Sequence, residues 1–379
     1  MQALTTYRGV FTVPATESNP AGGCHCHFIP PHLQKKLKSA ADDAIRSNAH
    51  LDDNEDLLFR GARAAALGTA APVAANFDGV TIDVYDLDHT KELPGQKVAA
   101  PADSEDGSIR RAFEGAQKIY TYYHKVHGRN SIDDRGMSLI SSVHYGTRYN
   151  NAFWNGRQMT YGDGDGITFD DFTKDFDVIA HKVTHGVVER TAGLIYQGQP
   201  GALNESLADV FGSCAKQFHG RTPANEANWL IGDVVLIGSG ALRSLKDPGS
   251  AYNTLLLGKD PQTNRMSEYD HTEDDNGGVH INSGIPNRAF YLVATELGGN
   301  AWEKPARIWY ESMLATDYRA QFVDFANTTI RTVQRLHGAG SAEETAVRRA
   351  WETVEVFIRS EPEPAPEPNN EGNGCCRVM

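Results

Sequence analysis

No stretch of the 379-residue chain approaches the ~18 consecutive apolar residues that a membrane-crossing helix needs. A basic face is missing as well. With 36 Lys and Arg against 49 Asp and Glu the net charge is −13, which argues against nucleic acid as a partner, because phosphate binding needs positive charge. The first residues, Met1 to Arg8, lack the charged start and apolar run of an ordinary secretory signal. Cysteine is scarce and odd in number, five in all, without the spacing of a disulfide framework; free thiols in a reducing compartment are expected. What is present is 40% apolar residues, enough for a substantial core in one large or two small domains.

Composition divides the chain into four regions. Residues 1–75 carry Cys24-His25-Cys26-His27, then Pro30-Pro31 as a helix start signal. Leu33, Leu37, Ala41 and Ile45 follow at helical spacing and predict one helix, and the alanine-rich Gly61–Ala75 reads as a linker. Residues 76–175 predict a β-rich lobe with strands at Val80–Tyr85, Ser141–Tyr145 and Asn151–Trp154 and a turn at Gly162–Gly166. One helix intrudes, its apolar face formed by Phe113, Ala116, Ile119, Tyr120, Tyr123 and Val126, stopped at Gly128. Residues 176–358 read as mostly helical, with the first helix too apolar all round to lie on a surface. Ser341–Glu344 makes a capping box, and Gly338 closes the helix before it. Residues 359–379 turn from Glu361 into a Glu- and Pro-rich run, an extended tail that ends in Cys375-Cys376-Arg377-Val378-Met379.

The chemistry concentrates in His181-Lys182-Val183-Thr184-His185. On an α-helix, residues four apart share a face, so both imidazoles can point at one ion. A core helix can also carry two histidines by chance. Glu205, inside Asn204-Glu205-Ser206-Leu207-Ala208-Asp209, changes that balance: on a facing helix it completes a His-His-Glu set with an open fourth position. Asp209 lies one turn later, where it can take the other N–H of a ligand histidine and fix its tautomer.

These residues, with Asn150–Asn155, Tyr161–Gly166, Thr191–Tyr196, Gly201–Glu205 and Asp275–Gly284, resemble the thermolysin family of zinc metalloendopeptidases, most of all its short, protealysin-like branch. The resemblance spans roughly residues 80–355. It implies an α+β, two-lobed fold, with a β-rich N-terminal lobe, a helical C-terminal lobe and the zinc helix between them. It also implies zinc held by His181, His185 and Glu205, with Asp209 behind them. His280 and Tyr196 become the oxyanion donors, and Asp275 holds the His280 ring. Asn151 and the Ala152 backbone become edge-strand contacts to a peptide, Arg243 a clamp on its carbonyl, and Val178 and Leu242 walls of an apolar pocket after the scissile bond. The implied reaction is cleavage of internal peptide bonds before apolar residues, in protein or peptide substrates. Pro30-Pro31-His32-Leu33 resembles the start of a protealysin-type propeptide, so residues 1–75 are expected to be a removable pro-region that inhibits its own chain, making it a zymogen.

Two positions depart from the family. Where it carries a glutamate that takes a proton from the attacking water, this chain has Lys182. A charged ammonium has three donors and no acceptor, so severely impaired hydrolysis is expected. The other departure concerns calcium. Asp177 remains as a ligand from the longer members' calcium site, but Lys216 stands where they carry an acid; a double site is not expected, and a Ca2+ requirement stays open. Two rivals stay open too: a zinc aminopeptidase, and a zinc-stabilised pseudo-protease that grips peptides without cutting them.

Other features carry weaker expectations. Cys24 or Cys26 can be imagined reaching the zinc, or simply as mobile thiols, and Cys214 reads as a small buried hydrophobe. His25, His27, His32, His124, His127 and His144 read as ordinary surface or core residues. Cys376-Arg377-Val378-Met379 fits a prenylation box, with Cys375 available for a palmitoyl chain, though the nearby glutamates oppose an anionic leaflet. The expected location is the cytoplasm, or its membrane face if the box is used; secretion without an ordinary signal is the other reading.

Overall fold

The structure, a computed structural model, describes residues 27–52, 80–238 and 240–357. Its N-terminal lobe is built on a five-stranded sheet in the order β2-β1-β3-β5-β4. The strands are β1 (Ile82–Asp86), β2 (Gln96–Lys97), β3 (Leu139–Val143), β4 (Ala152–Trp154) and β5 (Met159–Tyr161). β1, β3 and β5 run parallel, whereas β2 and β4 are antiparallel to their neighbours. A parallel pair needs a long crossover, and the helix α3 (Gly107–His127), lying between β1 and β3 in the chain, provides it. Asp106 caps α3 by accepting from the Ser108 and Ile109 amides, and Gly128 ends it at φ 66°, as the sequence suggests. Its buried face is Ile109, Ala112, Ala116, Ile119, Tyr122 and Tyr123; Phe113, Tyr120 and Val126 are only partly covered. β5 escaped the sequence reading because its three residues, all buried, show no alternation.

Beyond the sheet the chain is helical. α4 (Phe176–Glu189), α5 (Gly198–Gly220), α6 (Asp274–Asn282), α7 (Gly284–Leu297), α8 (Lys304–Leu314), α9 (Phe322–His337) and α10 (Ala342–Thr353) make the second lobe. Two short hairpins, β6–β7 (Leu230–Ile231, Arg243–Ser244) and β8–β9 (Asn253–Thr254, Gly258–Lys259), fill the connection between α5 and α6. Every residue of α4 from Asp177 to Val188 is buried, which its sequence required. Val178, Ile179, Val183 and Val187 join Ile119, Met159 and Leu207 in one core that runs through both lobes. Each such side chain contributes about 1.5–3 kcal/mol on full burial. Two glycines let helices approach closely. A Cβ on Gly115 would sit 2.4 Å from Ile179 Cδ1, and one on Gly212 would sit 3.4 Å from the backbone of Asp177 and His181. The second contact seats α5 against the start of the histidine helix. Ser341 caps α10 by accepting from the Glu344 amide, but Glu344 answers through the Gly340 amide rather than Ser341, so the expected box is only half formed. A complete box, not expected, opens α9 at Gln321 and Asp324.

The N-terminal segment, residues 27–52, corrects one expectation. Its single predicted helix is two, α1 (Pro31–Leu37) and α2 (43–52). Asp42 accepts from the Ala44 and Ile45 amides and starts a new helix there, which breaks the periodic run. Leu33, Leu37 and Ile45 enter the same core as the catalytic lobes. Gly61–Ala75, Cys24, Cys26 and the Glu-Pro tail with Cys375 and Cys376 lie outside the described residues. No helix among the described residues is long and apolar enough to cross a membrane.

Candidate active site

α4 sets His181 and His185 side by side, with ring centroids 4.5 Å apart. Each ring has its Nδ1 spoken for. That of His181 is 2.8 Å from Asp209 Oδ1, and that of His185 is 2.8 Å from Asn204 Oδ1. A carboxylate or amide oxygen can only accept, so both Nδ1 atoms donate and both Nε2 atoms keep a lone pair. Those two Nε2 atoms lie 2.9 Å apart. Burial lowers the pKa of His181 well below the ordinary value and brings His185 to about 4, so protonation does not relieve the contact. Two lone pairs facing each other repel unless a cation sits between them. α5 brings Glu205 to the same point, its oxygens 3.5 Å from His181 Nε2 and 3.4 Å from His185 Nε2, and Glu205 Oε2 is buried without a hydrogen-bond partner among the described residues. Two imidazoles and a carboxylate suit zinc, and the orphaned Glu205 oxygen fits the role of a ligand to it.

Behind this triad the supports are rigid. Asp209 takes a two-pronged contact from Arg243, Nε and Nη2 each at 2.8 Å, and a third hydrogen bond from Asn287. On the opposite side stands His280. Asp275 to Gly278 are four successive left-handed residues, and this turn places the Asp275 carboxylate under both the His280 amide (2.9 Å) and its Nδ1 (2.6 Å). Burial alone would lower the His280 pKa, but Asp275 and Glu205 carry it above the ordinary value. Tyr196 donates to Glu205 and lies 3.3 Å from His280 Nε2. The sequence-predicted set is thus gathered in one place: the three metal-binding candidates, Asp209, His280, Asp275, Tyr196 and Arg243.

A peptide already occupies the groove, and it is the chain's own. His27 pairs with Phe153 of β4 as an antiparallel bridge. The Phe28 amide donates to Asn151 Oδ1 (2.9 Å) and to the Ala152 carbonyl (3.1 Å), while the Ile29 amide donates to Asn151 Oδ1 (3.0 Å). His280 Nε2 lies 3.2 Å from the His27 carbonyl oxygen. The Phe28 ring meets His181 edge-on, with Arg243 5.0 Å and Lys182 5.7 Å from its centroid. Val178 and Leu242 belong to the same buried cluster as Phe28. Arg243 Nη1 is buried without a partner, a donor available to a carbonyl. Lys182 is fully buried beside the two histidines.

With this geometry in hand, comparison with known proteins is decisive. A family model described as "Thermolysin metallopeptidase, catalytic domain" matches residues 75–189, and one described as "Thermolysin metallopeptidase, alpha-helical domain" matches residues 192–356. The chain belongs to the thermolysin metallopeptidase family. Its fold is the thermolysin-like one, of the protealysin type. The precursor of protealysin, a metalloproteinase from Serratia proteamaculans, superposes with a TM-score of 0.79 at 42% identity, over 88% of this chain and 100% of that one. An extracellular metalloprotease of Pectobacterium carotovorum is 47% identical over 73% of this chain and 82% of its own length. Protease PrtS of Photorhabdus is 39% identical over 88% and 93%.

Some members of the site were not anticipated. Asn204 stands next to Glu205 in sequence and was the detectable one, since a ligand histidine needs a partner for its second nitrogen. Asn287 and Phe28 carried no such signal. His27 and His32, read as ordinary, lie in the cleft: His32 Nε2 is 2.9 Å from the Tyr252 hydroxyl. Near the other end of α4, Lys216 Nζ lies 2.8 Å from Asp177 and 2.6 Å from Asp233, with Asp175 at 3.9 Å. Burial disfavours the ammonium, but Asp177 and Asp175 hold its pKa above the usual lysine value.

Proposed function

We propose that this chain is the precursor of a zinc endopeptidase of thermolysin type, with an intact peptide groove and severely impaired hydrolysis. The observation that carries the reading is Lys182, fully buried against the Phe28 ring where the family's proton acceptor stands. His181, His185 and Glu205 would hold a zinc ion, which would supply Lewis acidity towards a peptide carbonyl and water. The chain's own groups do the rest. Asn151 and Ala152 align an extended peptide on β4, and Arg243 Nη1 grips a carbonyl. His280 and Tyr196 donate where negative charge grows on the reacting carbonyl oxygen. Val178 and Leu242 favour an apolar residue after the bond to be cut. Lys182 cannot accept the proton that the attacking water must lose, and positioned acid–base help is worth about 10²–10⁴-fold.

Residues 27–52 act as the inhibitor of this groove. The seating of Phe28 on Asn151, Ala152 and His181 supports that, as does the likeness to a protealysin precursor. A second reading has one observation in its favour: a buried lysine facing a bound aromatic ring suits a non-cleaving peptide-binding module. Lys216 supplies the positive charge that calcium would bring to Asp175, Asp177 and Asp233. Casein hydrolysis and zinc content, measured for this chain and for Lys182→Glu, test the reading. Equal zinc with cleavage restored in the variant supports an inactivated protease. Full cleavage by the unaltered chain overturns the role given to Lys182, and absence of zinc from metal-replete protein overturns the site.

A further inference from the structure

β1, β3 and β5 are neighbours in the sheet and all run the same way, so their C-terminal ends meet at one edge. That end of a parallel sheet is where side chains from separate loops converge on ligands. Here the convergence brings together His89, three residues past β1; His144, one past β3; and Asp163, two past β5. His144 Nδ1 lies 2.8 Å from Asp163 Oδ1, and His89 Nδ1 lies 3.3 Å from Asp163 Oδ2. One ligand atom from each of the three fits within 4.8 Å. Backbone hydrogen bonds lace the loops together: His89 N to His144 O at 3.0 Å, Gly146 N to Thr90 O at 3.1 Å and Tyr145 N to Tyr161 O at 3.1 Å.

We propose that His89, His144 and Asp163 form a second metal site, distinct from the catalytic one, for a borderline divalent ion such as Zn2+, Ni2+ or Cu2+. Two imidazoles with one carboxylate are the donor set such ions prefer over Mg2+ or Ca2+. The 53% exposure of the His89 side chain leaves room for water at a fourth position. The second nitrogen of His144 is also provided for, because Nε2 lies 3.2 Å from Asp106 Oδ2. A carboxylate there orients a ligand imidazole and raises its basicity. Without metal, Asp163 makes an ion pair with His144, whose pKa its hydrogen bond pushes up to about 9. The second imidazole packs edge-to-face with His144 at 5.5 Å, and its Nδ1 lies between the other Asp163 oxygen (3.3 Å) and the Gly146 carbonyl oxygen (3.2 Å), which holds the ring at the cluster.

Isothermal titration of the zinc-loaded full chain with NiCl2, with zinc counted before and after, tests this. One Ni2+ per chain with the catalytic zinc retained is expected. His89→Ala and Asp163→Asn should weaken binding about tenfold or more, and Asp106→Asn, which keeps the cap of α3, by about tenfold. Cys24→Ser with Cys26→Ser should leave it unchanged. His89→Ala alters a half-exposed side chain and keeps the His144–Asp163 pair, so it reports on binding rather than folding. No Ni2+ uptake beyond the zinc site, or equal uptake by the parent and His89→Ala, overturns the proposal.

Discussion

Two clusters on α4 and α5 face the same electrostatic problem and solve it differently. At one end His181, His185 and Glu205 point ligand atoms at each other with nothing of the protein between them. At the other, Asp175, Asp177 and Asp233 surround Lys216, which arrives from α5. Both groups could hold a divalent ion by their geometry. In the second the protein brings its own cation on a tether, Lys216. A lysine can replace an ion where the ion's task is to neutralise charge. At position 182 the task we propose is to accept a proton, and a charged ammonium has no acceptor to offer.

The comparison sharpens from its largest expected effect downward. Lys182→Glu should raise casein hydrolysis by about 10²–10⁴-fold once the pro-region is removed, at unchanged zinc content. Lys216→Ala should cost about 3–5 kcal/mol, read from urea unfolding, because it leaves buried carboxylates without their partner; Ca2+ should then restore part of the loss, whereas it should not stabilise the parent chain. His32 tests the pro-region's grip on the cleft. Burial lowers its pKa to about 4, so the bound state is fully favoured above about pH 6.5 and loses up to about 3 kcal/mol as pH falls from there towards 4. Limited proteolysis of residues 27–52 should therefore quicken across that window, and His32→Gln should flatten the dependence. Smallest is Asn204→Ala, which frees the His185 ring and should weaken zinc about tenfold in a chelator competition.

The site was more legible than the frame that holds it. Spacing along α4 gave the histidine pair, and the resemblance supplied His280, Asp275, Tyr196, Arg243 and Asn151, because long motifs preserve the order of groups that must meet. Less visible were interactions with no periodic signature. The split between α1 and α2 hangs on one side chain, Asp42, inside a run that is otherwise helical in pattern. β5 is too short to alternate. The apolar face of α3 is turned from its expected line because Tyr122, not among the residues expected there, packs against Tyr123 and Phe218. His144 looked unremarkable because its partners Asp163 and Asp106 come from different loops, and only the parallel strand order brings them together.

β4 ends the sheet, and a sheet margin with open amides and carbonyls will pair with whatever extended chain arrives. Here residues 27 and 28 pair with that margin, through the His27–Phe153 bridge and the Phe28 amide on the Ala152 carbonyl. A cover of this kind, which we propose blocks the groove to other peptides, would also stand in the way of strand addition between copies. Once it is gone, crowding and self-association become the price of an accessible groove.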